Sequence, residues 1–367
     1  MTVQTQDANV MPAAVQADIP PRAVTWVRIW LLALAVAVVA MVMVGGATRL
    51  TDSGLSITEW KPVTGAIPPL SEAHWLEEFE KYRQIPEYQQ INKGMSLSEF
   101  KSIYWWEWGH RFLGRLVGVL FLVPFVIFLL RGWLTRRMVA LTFGAFVLGG
   151  IQGAIGWWMV SSGLSVRTDV SQYRLAAHLG MAVLIFGYLL WLSLQVAPSR
   201  LPVAEYGSVS WLGKWLAPII FLQILLGALV AGLDAGLTYP TWPLMDGRFV
   251  PNGLGTMSPF WLNFFENVTT VQFNHRMFAY LVTALMVAYA VICWRNAENA
   301  ETRNRASLML AVTFVQVLLG ISALLYGVPL DIALAHQLVA IILFGIAVVH
   351  ADALHKARQW QPAPSQS

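Results

Sequence analysis

Four histidines of this 367-residue chain are arranged like paired metal ligands. Each lies within about two helical turns of the same end of a long apolar segment. They are His110, His178, His275 and His336. A lone histidine in an apolar helix is equally well explained by a hydrogen bond to a neighbouring helix. Two matched pairs instead favour axial ligation of haem iron, because zinc or copper usually needs further ligands and no acidic residue or histidine is repeated to supply one.

The dipeptide His-Arg occurs twice, and the residue three positions before the histidine distinguishes the two copies. The copies read Glu107-Trp-Gly-His110-Arg111 and Gln272-Phe-Asn-His275-Arg276. Residues three apart share a helix face, so a carboxylate is expected beside one haem and an amide beside the other. A carboxylate can exchange a proton and an amide cannot. We therefore interpret Glu107 as a catalytic residue, with a helix N-terminal role for it as the alternative.

Three arginines accompany these histidines. Arg111 and Arg276 directly follow them, where a guanidinium can pair with a haem propionate or simply extend to the membrane surface. Arg115 lies one turn deeper, and Tyr280 occupies the matching position of the second copy. A charge within a membrane segment without a visible partner is a functional hypothesis by default.

The composition indicates an integral membrane protein. Hydrophobic residues make up 57% of the chain and charged residues 12%, and the mean hydropathy is +0.57. Eight segments have the roughly 20 apolar residues that a membrane crossing requires. We place them near 26–47, 108–130, 138–160, 175–196, 212–232, 272–294, 307–327 and 331–350. The predicted fold class is therefore all-α, with eight transmembrane helices.

The distribution of basic residues predicts the topology. The short loops after the second, fourth and sixth spans are richer in Arg and Lys than the loops opposite. By the positive-inside rule both termini are cytoplasmic and the histidines lie near the outer side of the membrane. The net charge of +4 follows from this bias, so nucleic-acid binding is not indicated.

The segments outside the spans carry further predictions. Residues 1–23 are interpreted as a disordered cytoplasmic N-terminus without a cleavable signal, and the tail after His350 is predicted to be disordered. His74, His350 and His355 are interpreted as solvent or interface residues. Cys293 is the only cysteine, so the chain alone cannot form a disulfide, an iron–sulfur cluster or a thiolate zinc site.

Polar motifs recur in the same order in the two halves of the chain. Asp52-Ser-Gly-Leu-Ser-Ile-Thr-Glu-Trp60 matches Asp234-Ala-Gly-Leu-Thr-Tyr-Pro-Thr-Trp242, and Gln152-Gly-Ala-Ile-Gly156 matches Gln316-Val-Leu-Leu-Gly320. An even number of spans separates the copies. The repeat predicts two tandem four-helix bundles related by a pseudo-twofold axis along the membrane normal. The halves are residues 24–200, which include a long periplasmic loop at 48–107, and residues 201–354, followed by a cytoplasmic tail at 355–367.

Longer strings resemble the haem A synthase family, in its proteobacterial and mitochondrial branch. They are Gly45-Gly-Ala-Thr-Arg-Leu-Thr-Asp-Ser-Gly-Leu-Ser56, Trp60-Lys-Pro-Val-Thr-Gly-Ala-Ile-Pro-Pro69, Phe100-Lys-Ser-Ile-Tyr104, Glu107-Trp-Gly-His-Arg-Phe-Leu-Gly-Arg115 and His275-Arg276. The resemblance covers nearly the whole chain from Gly45. The cysteine pair of the Bacillus-type branch is absent from the first outer loop, which excludes a dithiol role there.

The resemblance implies oxidation of the C8 methyl group of haem O to a formyl group by two successive hydroxylations. It implies that His110 and His178 hold the substrate haem, with Arg111 and Arg115 nearby. It further implies that His275 and His336, with Arg276, hold a resident haem b, and that the essential carboxylate of the family is Glu107. The expected partners are a haem O synthase that delivers the substrate, terminal oxidase assembly factors and membrane lipid. The electron donor is not indicated.

Two other functions fit parts of the pattern. A bis-histidine cytochrome b that moves electrons from quinol would bind similar haems in both halves, but it would not require the difference between Glu107 and Gln272. A transporter or haem chaperone would release haem without oxidising it, and the parallel halves lack the broken helices typical of carriers.

Overall fold

The computed structural model describes residues 20–196 and 207–359, which are mostly helical and contain no named strand. The ten α-helices are α1 Pro21–Leu50, α2 Glu72–Arg83, α3 Pro86–Gln90, α4 Leu97–Leu130, α5 Arg136–Val160, α6 Gln172–Val196, α7 Gly207–Gly232, α8 Val268–Asn296, α9 Ala300–Leu325 and α10 Leu330–Gln359. All except α2 and α3 are long and apolar enough to cross a membrane. The predicted fold class and the eight spans are confirmed, and the protein is a multi-pass membrane protein.

Helix α4 begins well before its predicted start at residue 108. Ser96 and Glu99 form a capping box, in which the Ser96 backbone N donates to Glu99 Oε2 (2.7 Å) and Glu99 N donates to Ser96 Oγ (3.3 Å). The 34 residues of α4 extend about 50 Å at 1.5 Å each, well beyond a hydrocarbon layer of about 30 Å. Glu107 therefore lies inside the helix, and the alternative that it satisfies the helix N-terminus is wrong.

Two predicted end segments require correction. The tail after His350 was predicted to be disordered, but α10 continues to Gln359. Its last turns are fixed because Lys356 Nζ pairs with Asp352 (2.9 Å), Gln195 of α6 donates to the same carboxylate (2.9 Å), and Leu354 is buried. Residues 21–23 belong to α1 rather than to a disordered N-terminus. The rest of the predicted N-terminal segment, and residues 360–367, lie outside the described residues.

The helix contacts within the two halves correspond. In the first half α1 packs against α4 and α6, and α5 packs against α6. In the second half α7 packs against α8 and α10, and α9 packs against α10. The halves meet through α1, α6, α7 and α10. The predicted boundary at 200/201 falls in residues that the structure does not describe, and the pseudo-twofold axis stays a prediction.

The repeated aspartates lie where the halves meet. We call this end of the helices, from which the connections α1–α2 and α7–α8 extend, the long-loop side. Arg49 binds Asp234 across the halves (2.9 Å) and Asp52 within its own half (3.3 Å). Asp52 and Asp234 adopt left-handed backbone conformations, with φ of 47° and 48°, a region that Asp tolerates better than most residues. The repeat therefore marks two equivalent turns joined by one guanidinium.

The connection between α1 and α4 folds into a compact cap. Aromatic side chains of α2 pack against the start of α4, and Trp75, Phe79, Tyr82, Phe100 and Tyr104 are all buried. The stacked rings of Phe79 and Phe100 lie 4.8 Å apart. The cap covers the part of α4 that contains Glu107.

Candidate active site and haem sites

Each of the four predicted ligand histidines packs its ring against a glycine of the preceding span. A Cβ placed on Gly45, Gly156 or Gly320 would lie 2.8 Å from Cε1 of His110, His178 or His336, and one on Gly227 would lie 3.1 Å from Cε1 of His275. Real Cβ contacts essentially never fall below 3.0 Å. Every histidine thus occupies a socket, by which we mean the space that its facing glycine leaves open on the neighbouring helix.

Each half contains two sockets, those of His110 and His178 in the first half and those of His275 and His336 in the second. That each pair ligates one haem stays a prediction. In the described part of the chain no group of three or more His, Cys, Asp or Glu side chains could chelate a bare metal ion. Two facing imidazoles without a third ligand suit a metal whose equatorial positions are already filled, so the residues fit haem.

Three of the four histidines also contact a glutamine that lies four residues before the facing glycine. Gln152 Nε2 is 3.1 Å from His178 Nδ1, and Gln223 Nε2 is 3.1 Å from His275 Nδ1. His336 Nδ1 is 3.1 Å from the Gln316 carbonyl oxygen, and the Gln316 amide is 3.3 Å from His336 Nε2.

The sequence alone did not indicate the roles of Gln152 and Gln316, and Gln223 was not predicted as a site residue. The spacing Gln-x-x-x-Gly in three odd-numbered spans was the signal that identifies it. Gly45, Gly156 and Gly320 were visible in the sequence only as parts of longer motifs, and Gly227 was not singled out.

Glu107 is buried beneath the cap and accepts four hydrogen bonds. Its Oε2 accepts from Ser56 Oγ (2.7 Å) and Ile57 N (2.8 Å), and its Oε1 accepts from Arg111 Nε (3.1 Å) and Nη2 (2.6 Å). A carboxylate has about four lone-pair positions, so these donors fill them. Only 3% of Glu107 is exposed, and an unpaired charge at such burial would be costly. The cap and Arg111 therefore stabilise an ionised carboxylate one helical turn from His110.

Gln272 occupies the same place in the second half but has a different environment. It is equally buried, and its Nε2 donates to the Tyr239 carbonyl oxygen (3.3 Å). Tyr239 corresponds to Ile57 in the repeat. Gln272 Oε1 has no hydrogen-bond partner among the described residues. Both side chains therefore contact an equivalent loop residue, but Glu107 accepts from its backbone N–H and Gln272 donates to its carbonyl oxygen, and only the first half has a carboxylate there.

Arg111 and Arg276 attach equivalent loop segments to their helices. Arg111 donates to the carbonyl oxygens of Ile57 (2.8 Å) and Glu59 (3.0 Å). Arg276 donates to those of Tyr239 (2.6 Å) and Thr241 (2.8 Å), which are the matching residues of the repeat. The guanidinium groups thus satisfy loop carbonyls, and their predicted pairing with haem propionates stays a prediction.

Arg115, which had no visible partner in the sequence, forms hydrogen bonds with backbone carbonyl groups of the loop. Its Nε and Nη2 donate to the carbonyl oxygens of Pro62 and Lys61, both at 2.8 Å. Its remaining nitrogen, Nη1, is buried without a hydrogen-bond partner among the described residues. Arg111 and Arg115 line a cavity of about 420 Å³ between the cap and α4. This cavity, with its polar lining, therefore lies beside the ion pair that Glu107 forms with Arg111.

The interpretation of His350 as a solvent or interface residue is wrong. Its side chain is completely buried near the far end of α10, where its Nε2 lies 2.5 Å from the Tyr289 hydroxyl and its Nδ1 lies 3.3 Å from Arg305 Nε. Polar partners on α8 and α9 make this burial possible, and they are not adjacent in sequence. His74 and His355 are exposed, in agreement with the prediction.

Comparison with known proteins agrees with this geometry. Residues 28–348 match the family described as cytochrome oxidase assembly protein. The chain belongs to the haem A synthase family. A haem A synthase of Parvibaculum lavamentivorans is 52% identical over 351 residues, which cover 95% of this chain and 100% of the relative. Another, from Chelativorans sp. strain BNC1, is 52% identical over 339 residues, covering 92% and 93%. The predicted family is confirmed, and membership carries haem binding with it.

Proposed function

We propose that this protein oxidises the C8 methyl group of haem O to a formyl group by two successive hydroxylations, producing haem A for terminal oxidases. The observation that carries the proposal is the pair of equivalent positions at Glu107 and Gln272. Both lie one turn before a socket histidine and contact matching loops, but only the first can accept a proton. The substrate site is therefore the first half, with His110 and His178 as ligands of the substrate haem.

The second half holds the resident cofactor. His275 and His336 would ligate haem b, which supplies one-electron transfer when bound. Each of these two histidines contacts a glutamine as well as its glycine, and such outer contacts fix the orientation of a ligating imidazole. The chain's own residues thus provide a rigid holder at this site and no titratable carboxyl at the position of Glu107.

The contacts of Glu107 indicate which oxygen receives the proton. Arg111 cannot leave Oε1 easily, because its other hydrogen bonds anchor the loop at Ile57 and Glu59. The Ser56 hydroxyl can rotate away from Oε2 at the cost of one hydrogen bond, roughly 1 kcal/mol. Oε2 is therefore the oxygen that takes up a proton as an external acceptor withdraws electrons from the substrate methyl group, or that captures the oxidised, cation-like carbon, while Arg111 keeps the side chain in place.

The proposed location follows from the charge distribution of the loops. Both termini lie in the cytoplasm, and the long-loop side, with Glu107 and the sockets, faces the periplasm from the inner membrane. Haem O reaches the site from a haem O synthase, and haem A passes to terminal oxidase assembly factors.

The test compares Glu107→Gln with the matched control Gln272→Glu in a host that makes haem O. Tetrapyrroles extracted from the purified proteins are identified by mass spectrometry. The wild type should contain haem b together with haem O, its hydroxylated forms or haem A. Glu107→Gln should keep haem b and accumulate unconverted haem O, whereas Gln272→Glu should still convert it.

Two outcomes would overturn the proposal. Formation of haem A at the normal rate by Glu107→Gln would remove the role of this carboxylate. Haem b alone in both halves of the wild type would favour the bis-histidine cytochrome b instead.

A further inference from the structure

The socket of His110 differs from the other three. Four residues before the facing glycine, the other sockets have Gln152, Gln223 and Gln316, whereas the socket of Gly45 has Met41. His110 Nδ1 is buried and has no hydrogen-bond partner among the described residues. The ring of His110 is therefore held by packing against Gly45 but not by a second polar contact.

This difference bears directly on how tightly a ligand holds iron. A hydrogen bond to the second ring nitrogen orients a ligating imidazole and raises its basicity, and losing it typically costs 10- to 100-fold in metal affinity. An amide can present its oxygen or its nitrogen, so a glutamine supports the ring in either tautomer. A methionine thioether is only a weak acceptor.

Helix packing gives an independent difference between the halves. Helices α8 and α9 pack along much of their length, but their counterparts α4 and α5 approach each other at few positions. Gly149 of α5 is exposed, and a Cβ there would meet nothing within 4 Å. The matching residue of α9, Thr313, is only 2% exposed. The first half is thus open between α4 and α5 at a level where the second half is closed.

The missing glutamine beside His110 and the sparse packing between α4 and α5 both indicate that the first half holds its haem less firmly than the second half. The interpretation of this difference rests on the proposed function. A substrate haem must enter and leave at every turnover, while a cofactor must stay bound. We propose that the first half is built to exchange its haem, that His110 is the axial ligand that releases it while His178 keeps hold, and that the haem passes through the gap between α4 and α5. Met41 is then a positioning residue, because its thioether gives His110 no strong hydrogen bond and the bond from His110 to iron stays weak.

The test measures haem loss without any oxidation. Purified protein in detergent is loaded with haem b in both halves and mixed with excess apomyoglobin, and haem transfer is followed by absorbance. The wild type should lose haem in a fast phase and a slow phase. Met41→Gln should slow the fast phase by about 10- to 100-fold and leave the slow phase unchanged. Gln223→Met, which removes the side-chain amide beside His275 Nδ1, should accelerate the slow phase by a similar factor.

Met43→Gln is the matched control. It adds the same amide to α1 two residues away, on the other side of the helix, and should leave both phases unchanged. Gly149→Thr, which copies the residue of α9, should slow both loading and loss in the first half without changing the low-spin haem spectrum. If Met41→Gln folds poorly, Gln152→Met tests the same idea, since it should further accelerate the fast phase.

The outcomes separate this inference from the proposed function. A single rate for both halves, or a fast phase equal in Met41→Gln and Met43→Gln, would overturn the role of His110 as the releasable ligand. Unchanged rates in Gly149→Thr would overturn the route between α4 and α5. A wild type that loses haem in two phases yet never forms haem A would instead contradict the proposed function alone, because the transfer assay needs no conversion.

Discussion

Replacing Gly320 with alanine should remove the haem from the second half. The new Cβ would lie 2.8 Å from His336 Cε1, while ordinary contacts begin at 3.4 Å. The ring must therefore retreat by about 0.6 Å, three times the roughly 0.2 Å that metal–ligand distances tolerate. An unligated ring can turn aside, but the iron bond fixes a ligated one. The clash consequently weakens coordination rather than folding.

The assay compares the haem b content of the purified variant with the electron paramagnetic resonance signal of low-spin ferric haem. Gly320→Ala should lose the bis-histidine signal of the second half. The helix itself should gain stability, because alanine is favoured over glycine in a helix by about 0.8–1 kcal/mol. Gly227→Ala, whose Cβ would lie 3.1 Å from His275 Cε1, needs a retreat of only about 0.3 Å and should keep part of its haem.

Gly118→Ala provides the control for this prediction. Gly118 lies in α4, and a Cβ there would meet nothing within 4 Å. This variant should keep full haem content and an unchanged spectrum. Full haem content and a wild-type spectrum in Gly320→Ala would refute the reasoning, because the glycine would then not constrain the ligand.

Three further predictions concern stability. Burial, together with nearby carboxylates, raises the pKa of Glu87 in α3 from 4.5 to about 8. The folded state therefore binds this proton more tightly than the unfolded state. The free energy of unfolding should fall as the pH rises between these two values, by up to about 1.4 kcal/mol per pH unit. Glu87→Gln should flatten that slope in thermal unfolding, and an unchanged slope would contradict the assignment. Arg276→Gln leaves two loop carbonyls without their donor, at about 1–3 kcal/mol each, so limited proteolysis of residues 238–266 should accelerate. Tyr289→Phe should lower the unfolding midpoint through the loss of its bond to His350, again about 1–3 kcal/mol, and a changed haem spectrum would argue against a purely structural role.

The sequence predicted the features that depend on residue type and apolar length. Eight spans follow from runs of apolar residues, and pairing of the histidines follows from their common depth. The early start of α4 was not predicted, because residues 97–107 are not continuously apolar. This part of the helix is instead stabilised by the capping box of Ser96 and by the aromatic side chains of the cap. The burial of His350 was hidden as well, since its partners are on two other helices.

The contacts of the site were only partly predictable. The difference between Glu107 and Gln272 was visible in the sequence, but the donors around Glu107 come from residues 51 and 50 positions away or from the next helical turn. Helical spacing relates residues three or four apart on one helix, whereas these contacts depend on how the loop folds back. The loop-holding role of Arg111 and Arg276 is of the same kind.

The four sockets suggest how the two halves came to differ in task. Each consists of a span with a glycine followed by a span with a histidine, so the pattern occurs four times rather than twice. Three copies share the glutamine and lack a carboxylate at the position of Glu107. The copy formed by α1 and α4 has both exceptions, Met41 and Glu107. In our proposal the residues for proton transfer and for a weaker ligand are therefore concentrated in one helix pair, and the other three pairs hold their haems in place. A reaction that changes one haem while keeping another requires this separation, because the features that release a substrate would also release a cofactor.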